Sequence, residues 1–574
     1  MRVLARVAFA VAVSSLVAMS GFVATITASA AAAAPVPCKA RPTATGYVKA
    51  ENRRAGSTGW RYTARVKTRL QAFADVTSVR CGNSVHLMVS TRAPRATVTA
   101  WRMGYYGGAG GRAVYTSRAF RTKLQPAAVI DRATRTPRAP WRVTTSIHID
   151  GRFTPGSYLL KITDSRGGQA FVPLTVHDPL SRSPLVLMSE PLTWAAYNDW
   201  GGASSYRGAT GNASRSLVAS LDRPYAGNHG MAGYLTDEYP LVRLAEQRGL
   251  DVAYVTDVDI DVRPELLRRH RGILLGAHAE YWTRRMRAGF DAARDAGVNL
   301  ALFGANTAYW SIRMMRSSFG ANRAFAIYRE AGRDPKAATN PAAATIRFRH
   351  LPGMPPESTL FGQSYQGCPG HDGDLVVTAP DWPFPADTPP GTVLPKGVRR
   401  EFDRVDPDAL PPDASVQILA GAAIQGCHGN ANSTYHAHVT YYTSGSGAGV
   451  FAAGSLGWVC HLYGTTCRYG GTTAARTRSV FTVTTINLIS AMAQGPLGTT
   501  HPSRATDTSI PPEAFDAGNS TVSGDAEQDG GEGSQPVTRA DGEGPGTPVS
   551  WLPAPVATDD LWPGPRDTRE PTAG

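Results

Sequence analysis

Apolar and polar positions alternate with a period of two through the first part of the chain. SVHLMVSTRA, ATVTAWRMGYYGG, WRVTTSIHID, GSYLLKITDS and QAFVPLTVHD each read as a short strand with one buried face, bounded by Gly, Pro and Asp turns. Repeated short strands with no helical stretch between them predict a β-sandwich of immunoglobulin-like type over residues 38–180. From Pro184 the period changes. Strand LVLMS, helix YPLVRLAEQRG, strand DVAYVTD, a short helix near Pro264, strand GILLGA, helix WTRRMRAGFDAARDAG and strand NLALFGA follow one another. Strands that alternate with helices predict an α/β domain with a mostly parallel sheet, here over residues 183–498. Two of the helices stop on Gly249 and Gly297, as a left-handed C-cap requires. After Tyr309 a long Pro-rich insertion precedes a hairpin, HVTYYTSG with AGVFAAGSLGW, and a closing amphipathic helix, RTRSVFTVTTINLISAM. The fold class expected is multi-domain α+β.

The two ends of the chain read differently. Arg2 and Arg6, an apolar run from Val7 to Thr27 and the alanines after it predict a secretory signal over residues 1–34, cleaved near Ala30 or Ala34. The alternative, an uncleaved anchor, fits poorly because serines and Gly21 interrupt the run. Residues 511–574 hold too little apolar surface to offset chain entropy and are expected to be disordered. Export suits the six cysteines of this 574-residue chain, whose spacing suggests the disulfides Cys38–Cys81, Cys368–Cys427 and Cys460–Cys467. The net charge is +14 although the stretch from Glu513 onward holds twelve acids against three bases, so the body is more basic than the whole. Such a body attracts polyanions, including an acidic wall polymer. Its arginines are not interleaved with aromatic clusters, which argues for a surface property and against a specific nucleic-acid site.

In an open parallel sheet, ligands bind outside the carboxyl ends of the strands. Here LVLMS leads to Tyr197, Asn198, Asp199 and Trp200. GILLGA leads to His278, Glu280, Tyr281 and Trp282, and NLALFGA to Asn306, Tyr309 and Trp310. Each group has a plain structural alternative. Tyr197 suits a surface ring with a wet hydroxyl, Glu280 the acid that opens a helix, His278 a hydrogen-bonded structural histidine, and Asn306 a cap. Their recurrence at every strand end is what favours a shared crevice. No G-x-S-x-G follows a strand, and no cysteine sits at a strand-to-helix turn of this domain, which disfavours serine or cysteine nucleophiles. His436 and His438 share a strand face and offer a weak zinc alternative.

The motifs AYNDWGG, GAHAEYW, GANTAYW and AAGSLGW, with RMGYYGG earlier, resemble those of the large (β) subunit of N,N-dimethylformamidase and its relatives, over residues 38–497. The resemblance implies an α/β domain similar to class I glutamine amidotransferases, and a mononuclear ferric ion, Fe(3+), held by two tyrosines and a glutamate. It also implies hydrolysis of a small formamide to formate and an amine, and a possible partner in a small subunit or a second copy. Carried over by position, the glutamate is Glu280, its companion histidine His278, the asparagine Asn306 and one tyrosine Tyr197. The second tyrosine is assigned to Tyr158, with Tyr206 and Tyr281 as rivals.

Phenolate and carboxylate oxygens suit a hard trivalent cation. Three protein ligands leave positions for water and for an amide carbonyl, so metal-assisted hydrolysis is the reaction implied. His278 is then base or supporting donor, and Asn306 bonds the substrate or its oxyanion. The competing expectation is a non-catalytic protein on the same scaffold that binds cell wall or another polyanion.

Overall fold

In the computed structural model the described residues are 36–38, 44–66, 69–366, 371–378, 382–425, 434–464 and 471–504. The residues of the expected signal and of the expected disordered tail, and Cys368, Cys427 and Cys467, lie outside them. Cys38 and Cys81 form the expected disulfide, and Cys460 is disulfide-bonded.

The alternating segments form two sheets. Gln71–Ala74, Ser84–Ser90 and Thr145–His148 make one, all antiparallel. The other runs in the order Ser78–Arg80, Gln169–His177, Gly156–Asp164, Arg95–Met103 and Gly111–Thr116. Val85, Leu87 and Val89 from the first meet Val98, Tyr158, Leu160 and Ile162 from the second in one buried cluster. A six-residue helix, Tyr47–Asn52, stands beside them where no helix is expected. Its cap is tertiary: the Asp251 carboxylate accepts from the backbone N–H groups of Gly46 and Val48.

The second part contains a nine-stranded mixed sheet. Val252–Thr256, Leu185–Ser189, Gly272–Leu275, Asn299–Leu302 and Gly449–Ala452 lie side by side and parallel. Thr434–Thr443, Gln417–Gln425, His371–Val377 and Val393–Arg400 continue it antiparallel. The Pro-rich insertion therefore supplies strands to the sheet. Gly249 and Gly297 have φ of 68° and 84°, the left-handed caps expected of them. The helix after GILLGA starts later than its pattern suggests: Tyr281–Thr283 is a short strand, and Thr283 caps Arg284–Arg294 by accepting from Met286 N at 3.0 Å. The closing helix, Ala475–Met492, buries Val480, Phe481, Leu488, Ile489 and Met492 along one stripe.

The two parts meet through buried charge. Arg102 grips Glu246 with two bonds of 2.9 and 2.7 Å, and both side chains are fully buried. Asn52 and Tyr254 donate to the same carboxylate. The RMGYYGG motif is explained here, since a Cβ on Gly104 would stand 2.2 Å from a Glu246 oxygen.

Candidate active site

The chain order of the parallel strands places Leu185–Ser189 between Val252–Thr256 and Gly272–Leu275. The chain runs from this strand to Val252–Thr256 on one side and from there crosses to Gly272–Leu275 on the other, and a reversal of strand order of this kind is where ligands bind in open α/β sheets. Helix Pro191–Tyr197 leaves the first of these strands and carries Tyr197 at its last position. The loop after the third carries His278 and Glu280. The two are stitched together where Thr193 Oγ1 accepts from Glu280 N at 3.1 Å.

At this point four oxygens converge. The Tyr197 hydroxyl donates to Glu280 Oε2 at 2.7 Å. The Tyr206 hydroxyl lies 2.6 Å from that of Tyr197, and 2.9 and 3.1 Å from the two Glu280 oxygens. The rings of Tyr197 and Tyr206 stack at 4.3 Å. Tyr281 adds a third hydroxyl 2.6 Å from Tyr206, and Arg329 donates to it at 3.0 Å while its guanidinium lies 4.0 Å over the Tyr206 ring. Burial, reinforced by the Glu280 charge, pushes the Tyr281 phenol up from its ordinary value. Glu280 is buried, whereas Tyr197 and Tyr206 are half-buried and form the side of the cluster open to solvent.

His278 Nε2 stands between two carboxylates, 3.2 Å from Glu280 Oε2 and 3.5 Å from Glu401 Oε2. Glu401 also accepts from Asn306 Nδ2 at 2.8 Å, and Asp403 accepts from Asn306 N at 2.9 Å. Burial raises the Asp403 carboxyl to about 7. The AAGSLGW motif anchors this pair: Asp403 N donates to Gly454 O and Leu456 N to Glu401 O. Behind the crevice Glu190 Oε1 accepts from Gly276 N at 3.0 Å, which ties the start of the Tyr197 helix to the His278 loop.

Of the residues expected from sequence, the structure brings together Tyr197, Glu280, His278 and Asn306. It does not bring Tyr158. That side chain is in the core of the sandwich, its hydroxyl donating to Thr154 O at 2.6 Å, and burial holds its pKa well above the ordinary value. A phenol kept neutral in hydrocarbon is the opposite of a tyrosinate ligand. Its place is taken by the rival Tyr206. The zinc alternative gains no support: among the described residues no group of three His, Cys, Asp or Glu side chains has metal-holding geometry, and His438 Nδ1 accepts from Val405 N at 3.1 Å. Glu401 and Asp403 were missed, because they lie inside the insertion and follow no strand of the parallel series. The signal they left is EFDR, two acids flanking a buried phenylalanine.

Whether this donor set fits a metal ion turns on its oxygens. Among the described residues no group of three His, Cys, Asp or Glu side chains has metal-holding geometry, so any such site depends on the tyrosines. A metal–oxygen bond of about 2.0 Å puts neighbouring octahedral ligands about 2.8 Å apart. The Tyr197, Tyr206 and Glu280 oxygens, at 2.6 to 3.1 Å from one another, match that spacing. No lysine or arginine pairs directly with Glu280 among the described residues; the cation in the cluster is Arg329, which reaches the Tyr281 hydroxyl and the Tyr206 ring. The residues fit a hard cation.

The fold and crevice define a mixed α/β protein with a tyrosine–carboxylate centre at the reversal of strand order. The family described as N,N-dimethylformamidase beta subunit-like, C-terminal, matches residues 97–471, and the chain belongs to it. No curated protein matches the chain. Among solved structures, a cycloisomaltooligosaccharide glucanotransferase from Paenibacillus sp., complexed with cycloisomaltoheptaose, aligns at 8% identity with a TM-score of 0.13, over 44% of this chain and 33% of that one. So low a score carries no argument, and the alignment spans only about a third of that enzyme.

Proposed function

We propose that the protein is a secreted, metal-dependent hydrolase of non-peptide carbon–nitrogen bonds, with small formamide-like amides as substrates. The observation that carries this reading is the convergence of the Tyr197 and Tyr206 hydroxyls on the Glu280 carboxylate beside His278. Membership of the dimethylformamidase-like family supports a hydrolase. Tyr197, Tyr206 and Glu280 would hold a mononuclear ferric ion, which when bound supplies Lewis acidity toward an amide carbonyl and a water molecule.

The chain's own groups do the rest. The His278 imidazole, set beside Glu280 and Glu401, takes a proton from water as oxygen joins the carbonyl carbon, and returns it to nitrogen as the carbon–nitrogen bond breaks. Water thus divides between the acid and the amine. Glu401 and Asp403 fix Asn306 at the edge of the reacting space. The stacked phenol rings form the entrance, and Trp310 and Arg329 wall it.

The leader-like segment and the Cys38–Cys81 disulfide support export, and the basic body supports contact with a polyanionic wall. A small subunit or a second copy is the protein partner proposed. The two-sheet sandwich supports the immunoglobulin-like reading of the first part, and the parallel strand order the glutamine-amidotransferase-like reading of the second. Iron reconstitution followed by visible spectroscopy and assay of formate and amine release is the test. A tyrosinate-to-iron band with amide turnover is the expected result. A colourless, iron-free and inactive protein after reconstitution sinks the proposal and favours a non-catalytic wall-binding role.

A further inference from the structure

Arg223 is buried, and among the described residues its hydrogen-bond partners are backbone carbonyls alone. Nη1 donates to Trp200 O at 2.8 Å and to Ala203 O at 2.9 Å, Nη2 to Ala195 O at 3.3 Å, and Nε to Ser220 O at 3.3 Å. Ala195 lies in the last turn of the helix that ends at Tyr197, and Trp200 and Ala203 lie in the loop from there to Tyr206. One guanidinium therefore spans the segment that carries both phenols. Burial pushes its pKa down to about 10, so the cation is kept in surroundings that oppose its charge. What it offers there is reach: a planar fork of five N–H donors spans carbonyls that a single ammonium cannot.

The remaining partner, Ser220 O, belongs to a rigid frame. Strand Val218–Ser220 is one edge of a four-stranded sheet that continues through Gly320–Ala326 and Trp310–Ser317 to Tyr281–Thr283 at the other edge. That last strand starts directly after Glu280. The sheet thus presents the carboxylate at one edge and, just past the other, the guanidinium that grips the tyrosine loop. Asn198 of the AYNDWGG motif adds a second tie to the same segment, its Nδ2 donating to Pro224 O at 2.9 Å and its Oδ1 accepting from Ala226 N at 3.1 Å.

We propose that Arg223 is a positioning residue of the centre: it fixes the loop between Tyr197 and Tyr206 to the sheet that presents Glu280, and so sets the spacing of the phenol and carboxylate oxygens before any ion arrives. The inference rests on the reading of those oxygens as a metal site. Oxygen donors held at their working spacing in advance bind an ion without the loss of chain freedom that a loose loop would suffer. Arg323 supplies the contrast. It is also buried and stands on the neighbouring strand, yet its bonds go to Asp222, Ala74 O and Leu221 O and, among the described residues, not to the tyrosine loop.

The test begins with the unaltered, metal-free full chain. Backbone amides of residues 199–206 are expected to exchange with deuterated solvent within about a hundredfold of the rate of strand Val218–Ser220, and a wider gap overturns the proposal. Arg223→Lys is expected to speed that exchange at least about tenfold and to weaken ferric ion binding, measured by competition with citrate, by about 10–100-fold. Arg323→Lys is expected to change neither quantity by more than about threefold, whatever it does to the thermal midpoint. Equal effects of the two substitutions, or unchanged iron binding in folded Arg223→Lys, overturn the proposal. Should Arg223→Lys fail to fold, the exchange comparison on the unaltered chain still decides. If the unaltered protein takes up no iron while loop exchange is slow and quickens in Arg223→Lys, the metal reading fails and the loop-holding role of Arg223 stands. An iron band that Arg223→Lys leaves untouched has the reverse meaning.

Discussion

Glu246 and Glu280 are both buried glutamates, and their surroundings differ in one respect. Glu246 meets the forked guanidinium of Arg102, with Asn52 and Tyr254 satisfying what remains of its oxygens. Glu280 meets phenol hydroxyls and one imidazole, and no arginine or lysine among the described residues. A buried carboxylate requires a compensating charge. The first cluster finds it within the chain and joins two parts of the fold. Among the described residues the second has no guanidinium on the carboxylate itself, Arg329 being one phenol away, and the proposed cation would supply that direct partner.

Breaking the two clusters should have opposite consequences. Glu280→Gln is expected to remove the visible iron band and lower kcat/KM by about a thousandfold or more, equivalent to about 4 kcal/mol of barrier, with thermal unfolding little changed. Arg102→Leu is expected to strand Glu246 and destabilise the fold by about 3–5 kcal/mol, read as a lower urea midpoint, while the folded fraction keeps its iron band. If Glu280→Gln unfolded the protein and Arg102→Leu bleached it, the comparison would be the wrong way round.

The carboxyls around the crevice sharpen it further through pH. Burial holds Asp403 at about 7 and Glu238 at about 8, both above the ordinary carboxylate value near 4. The folded state then binds more protons than the unfolded state between about pH 4 and these values. Stability therefore falls as pH rises through that window, by up to about 1.4 kcal/mol per pH unit for each group. Urea titrations at stepped pH should show this slope, and Asp403→Asn or Glu238→Gln should flatten it. The smallest effect belongs to Tyr158→Phe, which gives up one hydroxyl–carbonyl bond, about 1 kcal/mol, and leaves the iron band intact. Tyr206→Phe should abolish or shift that band.

What the sequence revealed follows from where its signals lie. Strand ends are visible as apolar runs followed by polar groups, so Tyr197, His278, Glu280 and Asn306 could be picked out together. Their convergence depends on strand order, which the alternation of strands and helices does not encode. The resemblance favours Tyr158 over Tyr206 on its upstream place in the chain alone; what decides is that Tyr158 alternates inward in a two-sheet core, whereas Tyr206 follows a helix that ends at the cluster. Glu401 and Asp403 reach the site through the extra antiparallel strands, and a Pro-rich stretch with no clear periodicity gave no warning of them. The helix Tyr47–Asn52 was hidden for a related reason, since its cap comes from Asp251.

The Arg102–Glu246 bond also bears on how the protein can be taken apart. A gene cut in the stretch around residue 182 would yield one piece carrying the guanidinium and another carrying the carboxylate. Each would face water, or its own hydrocarbon, without its mate. Neither half is therefore a free-standing building block, and anyone transplanting the α/β portion to a new host protein must carry the sandwich along with it.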